Sequence, residues 1–178
     1  YAGKAECLTC HEKALDHLSE TGHGKRLFQE PRTALEKLGC EACHGPGKAH
    51  AESGGEQRGG LIAYTKKPAT ADIRNQACLQ CHEKANQLNF ESSKHARRNL
   101  ACSSCHSVHN PKSVKSQLKT RTETETCFSC HKAERAKSMR TSHHPVREGK
   151  LTCTSCHNPH EGNRPKMIKA ETNNELCY

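Results

Sequence analysis

Residues Cys127 to His160 read CFSCHKAERAKSMRTSHHPVREGKLTCTSCHNPH, and this stretch decides the architecture of the chain. It contains two copies of Cys-x-x-Cys-His, the attachment sequence for c-type haem. In such a motif the two thiols add to the porphyrin vinyl groups, and the histidine becomes the proximal axial ligand of the iron. Two further histidines, His144 and His160, remain for the opposite faces of two irons. The stretch therefore predicts a two-haem module that supplies all four axial ligands.

The same motif occurs six times, so the sequence predicts six covalently bound haem c groups. In chain order, motifs 1 to 6 are Cys7-Cys10-His11, Cys40-Cys43-His44, Cys78-Cys81-His82, Cys102-Cys105-His106, Cys127-Cys130-His131 and Cys153-Cys156-His157. Zinc sites and thiol redox sites also use Cys-x-x-Cys, but neither requires a histidine after every second cysteine. We therefore predict that these cysteines attach haem and that the six motif histidines are its proximal ligands.

The motifs recur in pairs, with a period near 50 residues between Cys78, Cys127 and Cys177. The pairs define three repeat units within a single array over residues 1–178: unit 1 at about 1–60, unit 2 at about 73–115 and unit 3 at about 122–168. Internal repeats of this kind indicate a stacked, nearly linear array. Cys177 is unpaired and stands where the repeat requires a new first cysteine. We therefore expect a fourth unit to begin at about residue 172, cut off within a seventh motif, and a seventh haem is implied.

The composition excludes an ordinary globular core. Leu, Ile, Val and Phe together make up 22 of 178 residues, and there is no Trp. So little apolar surface does not offset the conformational entropy lost on folding. Six porphyrins would supply the missing core, so folding is expected to depend on haem. The predicted fold class is mainly short α-helices and coil wrapped around a row of c-type haems, with almost no β-structure.

Helices are predicted over residues 6–20, 78–88 and 124–139, which lack Gly and Pro. A further short helix is predicted over residues 31–38, with Pro31 near its first turn. A Gly-rich loop is predicted over residues 45–75, and His23 is expected in a loop with the glycines around it. The segments that follow His109 and His160 contain prolines and are expected to be extended.

The distal ligands follow from counting histidines. Of 14 histidines, six belong to motifs, and the repeat selects six more. These are His23, His95 and His144 between paired motifs, and His50, His109 and His160 after them. His17 is left as a solvated side chain, and His143 stays an alternative to its neighbour His144. Met139 and Met167 are also possible axial ligands, but enough histidines are present.

An iron with histidine on both faces has no open position for a substrate, whereas catalysis at a metal needs one. The ligand count therefore favours an electron carrier over an enzyme such as a multihaem reductase. His109 and His160 lie three residues after His106 and His157, on a similar side of the chain. That side of the porphyrin is already taken by the motif histidine, so each is predicted to ligate a haem other than that of its own motif.

The net charge of +9 suggests nucleic-acid binding, but haem charges remove most of it. Two propionates per haem and one positive charge per ferric centre bring the total to about +3 oxidised and about −3 reduced. We therefore predict no nucleic-acid partner. Because c-type haem is attached outside the cytoplasmic membrane, the protein is expected in the periplasm after removal of a signal peptide.

The whole chain resembles the periplasmic decahaem c-type cytochromes of the MtrA/PioA/DmsE family. The resemblance rests on ECLTCHEK, GCEACHGPGKAH, CSSCHSVH and SHHPVREGKLTCTSCHNPH followed by ELCY. Single motifs are shared with other multihaem cytochromes, including pentahaem shuttles similar to NrfB. The family has ten haems and this chain has six complete motifs, so it resembles the N-terminal portion of such a protein.

The resemblance implies a haem wire inserted through an outer-membrane β-barrel porin. Such a wire would pass electrons between periplasmic electron carriers and an outer-surface multihaem cytochrome or an extracellular acceptor or donor. Two other interpretations remain open: a soluble periplasmic multihaem shuttle and a polymerising cytochrome filament. The sequence does not indicate the direction of electron flow.

Overall fold

The computed structural model describes residues 1–65, 67–84, 87–161 and 164–177, and over these residues the chain forms short helices and coil without a β-strand. The α-helices are α1 (Lys4–Cys10), α2 (Gly22–Gly24), α3 (Glu41–His44), α4 (Lys48–Glu52), α5 (Ala71–Leu79), α6 (Cys102–Cys105), α7 (Glu123–Cys130), α8 (Lys132–Ser138), α9 (Cys153–Cys156) and α10 (Asn173–Cys177). Other helical turns cover Glu12–Leu15, Leu18–Glu20, Lys25–Gln29, Glu36–Leu38, Phe90–Ser92, Ala96–Arg98 and Pro165–Met167. The predicted class of helix and coil with almost no β-structure is confirmed.

Each haem-attachment motif forms one α-helical turn. In all six motifs the amide of the histidine donates to the carbonyl of the first cysteine, at N···O distances of 2.9–3.0 Å. Residues three and four apart lie on the same face of a helix. The two cysteines and the histidine therefore leave one side of the turn, where a single porphyrin reaches all three.

Side-chain caps fix where several motif helices begin. At α7, Thr122 Oγ1 accepts from the Glu125 N–H at 3.1 Å, and the Glu125 carboxylate accepts from the Thr122 N–H at 3.3 Å. Ser104 in α6 and Ser155 in α9 each accept from the backbone N–H three residues earlier, at 3.1 and 3.0 Å. These bonds satisfy amides that a helix start would leave unpaired. Units 2 and 3 thus begin their second motifs in the same way.

After motifs 4 and 6 the chain turns back on itself. Isolated bridges pair His106 with Leu118 and His157 with Ile168. The segments predicted to be extended are therefore return loops, held against the motif helices by backbone hydrogen bonds. This shared loop is a second feature that makes units 2 and 3 alike.

The polypeptide buries little of its own apolar surface. Among the described residues the buried apolar side chains are Leu18, Ala42, Ala77, Phe90, Ala101 and Leu118, of which half are alanines. Alanine adds little to the hydrophobic stabilisation of a core. The small core agrees with the composition and leaves room for the porphyrins as packing partners. No helix in the part of the chain that the structure describes is long and apolar enough to cross a membrane.

Two predicted helices have other bounds. The helix predicted over residues 78–88 is wrong, because α5 begins at Ala71, where Thr70 Oγ1 accepts from the Ile73 N–H at 3.4 Å, and ends at Leu79. Residues 85–86 of that prediction lie outside the described residues. The single helix predicted over residues 124–139 is two helices, α7 and α8, because His131 leaves the helical region with φ −83° and ψ 62°.

Four further predictions in the N-terminal half are also corrected. The helix predicted over residues 6–20 is α1 followed by two separate turns. The helix predicted over residues 31–38 is the single turn Glu36–Leu38, and the Glu36 carboxylate accepts from the backbone N–H groups of Arg32 and Thr33. The loop predicted over residues 45–75 contains α4 and the start of α5. His23 lies in the turn α2, where Gly24 is so close to the chain that a Cβ would stand 1.8 Å from the Leu18 carbonyl oxygen.

Candidate haem-binding sites

Five histidine pairs face each other across gaps of nearly constant width. Their ring centroids lie 6.4 Å apart for His11 and His50, 5.7 Å for His23 and His82, 6.0 Å for His44 and His109, 6.1 Å for His95 and His131, and 6.0 Å for His106 and His160. Every pair joins one motif histidine to one histidine outside the motifs. The motif turns bring each proximal histidine to one side of a gap, and the connecting segments bring the second ring to the other.

The gaps fit an iron bound by two imidazoles. A metal–imidazole bond is about 2.0–2.1 Å long, and the ring centre lies about 1 Å behind the nitrogen, so two rings on one metal have centroids about 6 Å apart. In the pair of His23 and His82 the two Nε2 atoms face each other at 3.5 Å, about 0.6 Å less than two such bonds in line, so these two rings must separate slightly to admit the metal. The donor set, one imidazole on each face and two cysteines beside one of them, matches a c-type haem with two axial histidines.

The structure brings together five of the six predicted distal histidines with a motif histidine. His50 faces the histidine of motif 1, His109 that of motif 2 and His23 that of motif 3. His160 faces the histidine of motif 4, and His95 faces that of motif 5. Within the described residues, no ring faces the motif-6 histidine, His157, and His144 faces no motif histidine. His109 and His160 stand opposite the histidines of motifs 2 and 4, as the predicted ligation of a haem other than their own requires. Axial ligation at all of these residues stays a prediction.

Most of these rings are oriented through Nδ1. His50, His95 and His106 meet the carbonyl oxygens of Gln57, Pro159 and Ser116 at 2.9, 3.0 and 2.7 Å. His44, His109 and His157 meet those of Ile62, Ala14 and Lys166 at 3.4, 3.1 and 2.9 Å. An imidazole that donates its Nδ1–H to a carbonyl leaves Nε2 free for a metal. The backbone around each site therefore selects the tautomer that haem ligation needs.

Sequence reasoning missed two side chains that position distal histidines. Gln117 Oε1 accepts from His23 Nδ1 at 2.6 Å. Phe90, which is 6% exposed, packs edge-on against the His160 ring at a centroid distance of 6.1 Å. Neither belongs to a motif, and both act on histidines distant in the chain, so no local pattern marks them. Phe90 was detectable only as one of three phenylalanines in a chain poor in aromatic residues.

The neighbours His143 and His144 have different surroundings. His143 Nδ1 lies 2.6 Å from the Arg140 carbonyl oxygen, and its Nε2 lies 3.0 Å from the Glu148 carboxylate. Both ring nitrogens of His143 are thus engaged within its own loop. His144 is exposed. This difference supports the preference for His144 as the ligand of a haem.

Burial favours the neutral form of several of these rings. Loss of solvent lowers the pKa of His23, His44 and His160 below the ordinary histidine value. Nearby histidines act in the same direction on the pKa of each ring. The neutral imidazole is the form that binds a metal. Burial therefore favours, in these three rings, the protonation state that can bind iron.

The cysteine sulfurs place the six motifs in one row. Within each unit the first cysteines of the two motifs lie near each other: Cys7 with Cys40, Cys78 with Cys102, and Cys127 with Cys153. The Cys127 and Cys153 sulfurs are within 4.8 Å of each other. Between units the second cysteines lie near each other: Cys43 with Cys81, and Cys105 with Cys130. Each motif from 2 to 5 therefore lies beside the one before it and the one after it. Haems attached to these sulfurs would follow one another edge to edge.

A polar side chain ties the two motif helices of unit 1 together. The Glu41 carboxylate, in a residue only 4% exposed, accepts from the N–H groups of Ala2, Gly3 and Gly47, each at 2.8 Å. Burial alone would raise the pKa of Glu41, but these donors outweigh it and the pKa lies below its usual value. The carboxylate thus joins the start of α1 to α3.

Units 2 and 3 use a residue just before their first motif for the same task. Asn75, which is 6% exposed, accepts from the Cys102 N–H at 2.8 Å and donates to the Leu100 carbonyl at 3.3 Å. Glu123 accepts from the Thr154 N–H at 2.7 Å and from its hydroxyl at 2.6 Å. We call Glu41, Asn75 and Glu123 the tether residues. Sequence reasoning did not single them out, because all of their partners except Gly47 lie 25 or more residues away.

Known proteins match the chain along most of its length. The family model for the doubled CXXCH motif matches residues 143–178, that for cytochrome c-type proteins like NrfB matches residues 40–123, and that for cytochrome c554 and c-prime matches residues 1–45. Multiheme cytochrome MtrA of Shewanella baltica (strain OS185) is 34% identical over 180 residues, which cover 99% of this chain and 52% of that protein. The chain thus spans about half the length of the curated relative it matches.

These matches confirm the predicted resemblance and agree with haem sites built from motif turns and facing histidines. Haem c binding and electron transfer are the properties that the matched cytochrome families share. Over 99% of its length the chain is therefore similar to a multihaem c-type cytochrome, multiheme cytochrome MtrA.

Proposed function

We propose that this chain is a six-haem section of a trans-outer-membrane conduit, which carries electrons between the periplasm and extracellular acceptors or donors. The observation that carries the proposal is the row of motifs, in which cysteines of successive motifs lie near one another from motif 1 to motif 6. Each sulfur is the attachment atom of a porphyrin edge, so electrons would pass between adjacent porphyrins. A row in which every motif lies beside the next is what a wire requires.

The facing histidines support a role without chemistry at the iron. Five motifs have a second imidazole at the distance that a two-histidine iron requires. At those sites no coordination position is left for a substrate. The protein is therefore proposed to be an electron carrier and not an enzyme.

The pairing order also suggests how the sixth site is completed. His23 of unit 1 faces the first motif of unit 2, and His95 of unit 2 faces the first motif of unit 3. By the same rule His144, the histidine between the motifs of unit 3, would ligate the first haem of a following unit, and Cys177 would attach that haem. His109 and His160 each face the second motif of the preceding unit. By that rule the distal ligand of His157 also comes from the following unit.

The proposed partners are an outer-membrane β-barrel porin around the haem row, an outer-surface multihaem cytochrome beyond it, and periplasmic electron carriers at the other end. The proposed location is the periplasm, with the protein embedded in the barrel. The relationship to multiheme cytochrome MtrA supports this assignment over a shuttle or a filament. Haem stoichiometry is a separate part of the proposal: six motifs predict an added mass of six haems on residues 1–178.

The test is electron transfer across a bilayer. The full-length protein, co-expressed with its outer-membrane porin, is reconstituted in liposomes that enclose reduced methyl viologen, and ferric citrate is added outside. Oxidation of the enclosed dye only when both proteins are present is the expected result, and porin alone is the control. Oxidation absent from the two-protein liposomes, with the cytochrome active as a freely diffusing carrier, would establish the shuttle. Ordered fibres in electron micrographs of the purified protein would establish the filament.

A further inference from the structure

Glu123 lies at the junction between motifs 5 and 6. Its carboxylate oxygen, the Cys127 sulfur and the Cys153 sulfur all lie within 4.8 Å of one another. These are the first cysteines of the two motifs, and in the haem-loaded protein they are thioethers to two different porphyrins. They are therefore not a metal-binding set with Glu123. Instead, the carboxylate stands beside the edges of both the fifth and the sixth haem.

The negative charge of Glu123 is not neutralised by an ion pair among the residues that the structure describes. Its two hydrogen bonds both come from Thr154, a neutral donor. The side chain is half-buried, so water screens its charge only in part. Porphyrin edges attached to these two sulfurs would therefore lie within reach of the charge of this carboxylate.

Unit 2 carries the opposite charge at the equivalent position. Arg74 precedes Cys78 by four residues, as Glu123 precedes Cys127. Arg74 donates to the Ser103 hydroxyl at 3.1 Å, and Glu123 bonds the equivalent residue, Thr154. Asn75, the next residue, accepts from the Cys102 N–H and carries no charge. The two junctions therefore hold the second motif helix in a similar way and differ in the charge of the residue that bonds it.

We infer that Glu123 is a redox-tuning residue that lowers the reduction potentials of the fifth and sixth haems relative to the third and fourth. A ferric haem centre carries one more positive charge than the ferrous form, so a nearby carboxylate stabilises the oxidised state. Local charge is among the factors that set haem potentials. Each step is a one-electron reduction, Fe³⁺ + e⁻ → Fe²⁺, with no bond made or broken. The inference rests on the proposed haem occupancy and adds a difference in driving force between two parts of the row.

The test compares potentiometric titrations of the full-length haem-loaded protein and its Glu123→Gln variant. Gln keeps both contacts with Thr154, because its amide oxygen accepts from the backbone N–H and its NH₂ group donates to the hydroxyl. The expected result is a shift to higher potential in the part of the titration that belongs to about two haems, with an unchanged intact mass. An unchanged titration at full haem content would overturn the inference.

Glu125→Gln is the matched control. Glu125 lies on the same helix and loses the same charge, but it is exposed, and Gln also completes a capping box with Thr122. Its titration should shift much less than that of Glu123→Gln, and equal shifts would reduce the effect to net charge and refute the inference. If Glu123→Gln loses haem, Glu123→Asn, which removes the same charge and keeps an amide, gives the same readout. These potentials are measured without a membrane, so failure of the conduit in liposomes leaves them intact.

Discussion

Units 2 and 3 have the same scaffold but complete their haem sites differently. Both begin the second motif with a serine cap and close it with a bridge from the motif histidine to a return loop. Both histidines that unit 2 adds, His95 and His109, face motif histidines of neighbouring units. In unit 3 only His160 does so among the described residues, whereas His144 does not. The scaffold of a unit is thus local, and its coordination is shared with its neighbours.

The largest expected effect is loss of both scaffolds when haem is absent. Protein produced without haem attachment should lack most of the helical circular dichroism of the haem-loaded form, because the described residues bury so few apolar side chains. Unfolding on this scale would be visible by far-UV circular dichroism and by proteolysis. A haem-free chain with native helix content would show that the polypeptide core suffices and would contradict the predicted dependence on haem.

Next in size is the loss of one shared ligand. His109→Ala should convert about one haem from low-spin to high-spin and open it to cyanide, since His109 faces His44. Absorption and electron paramagnetic resonance spectra measure the change. His143→Ala is the control, because both nitrogens of His143 bond within its own loop. Replacing Cys102 and Cys105 as well removes the fourth haem; a high-spin signal that vanished with it would contradict the assignment of His109 to motif 2.

The tether residues should differ in their effects on stability. Asn75→Ala leaves the Cys102 N–H and the Leu100 carbonyl without partners at a buried position, at a cost of about 1–3 kcal/mol. Glu123→Ala should cost less, roughly 0.5–1.5 kcal/mol, because its position is half-buried and water replaces the lost bonds. Urea unfolding of the haem-loaded variants measures both values. Glu56→Ala, at an exposed position, is the control, and a larger loss for Glu123 than for Asn75 would contradict the ranking by burial.

The smallest expected effect, on removal of the serine caps, tests whether the two scaffolds are equivalent. Ser104→Ala and Ser155→Ala each remove a hydrogen bond to the backbone N–H three residues earlier. Each should lower the free energy of unfolding by about 0.5–1.5 kcal/mol, and by similar amounts. The same urea titrations measure it. A difference above about 1 kcal/mol would mean that the two caps are not equivalent.

The sequence predicted whatever depends on local spacing. Cysteines three residues apart and the histidine after them are sufficient to define a helical turn with one reactive side, so the motifs and the helical class were predictable. The ends of the helices were harder to predict, because the start of α5 depends on the cap at Thr70, upstream of the motif. The break at His131 depends on backbone angles of a residue whose ring must reach a haem.

What depends on contacts between units was not predictable from spacing alone. The repeat selected the distal histidines, but their order of pairing appears only when the units are stacked. Gln117 shows the limit most clearly, because its partner His23 lies 94 residues earlier in the chain. The tether residues are similar, since an Asn or Glu before or within a motif has no distinguishing pattern until the segments that it bonds are in place.

The exchange of histidines between units also sets the order in which the protein can mature. A chain made from its N-terminus has both rings for the first haem within unit 1, because His50 faces His11. The second haem would lack its distal ligand until His109 is synthesised. For the third haem, the distal ligand His23 is synthesised before the motif histidine His82. The fourth then waits for His160, and the fifth finds His95 in place. By this order the third and fifth haems would be completed as soon as their motif emerges, and the first would wait for His50. The second and fourth would remain five-coordinate until a later unit closes them.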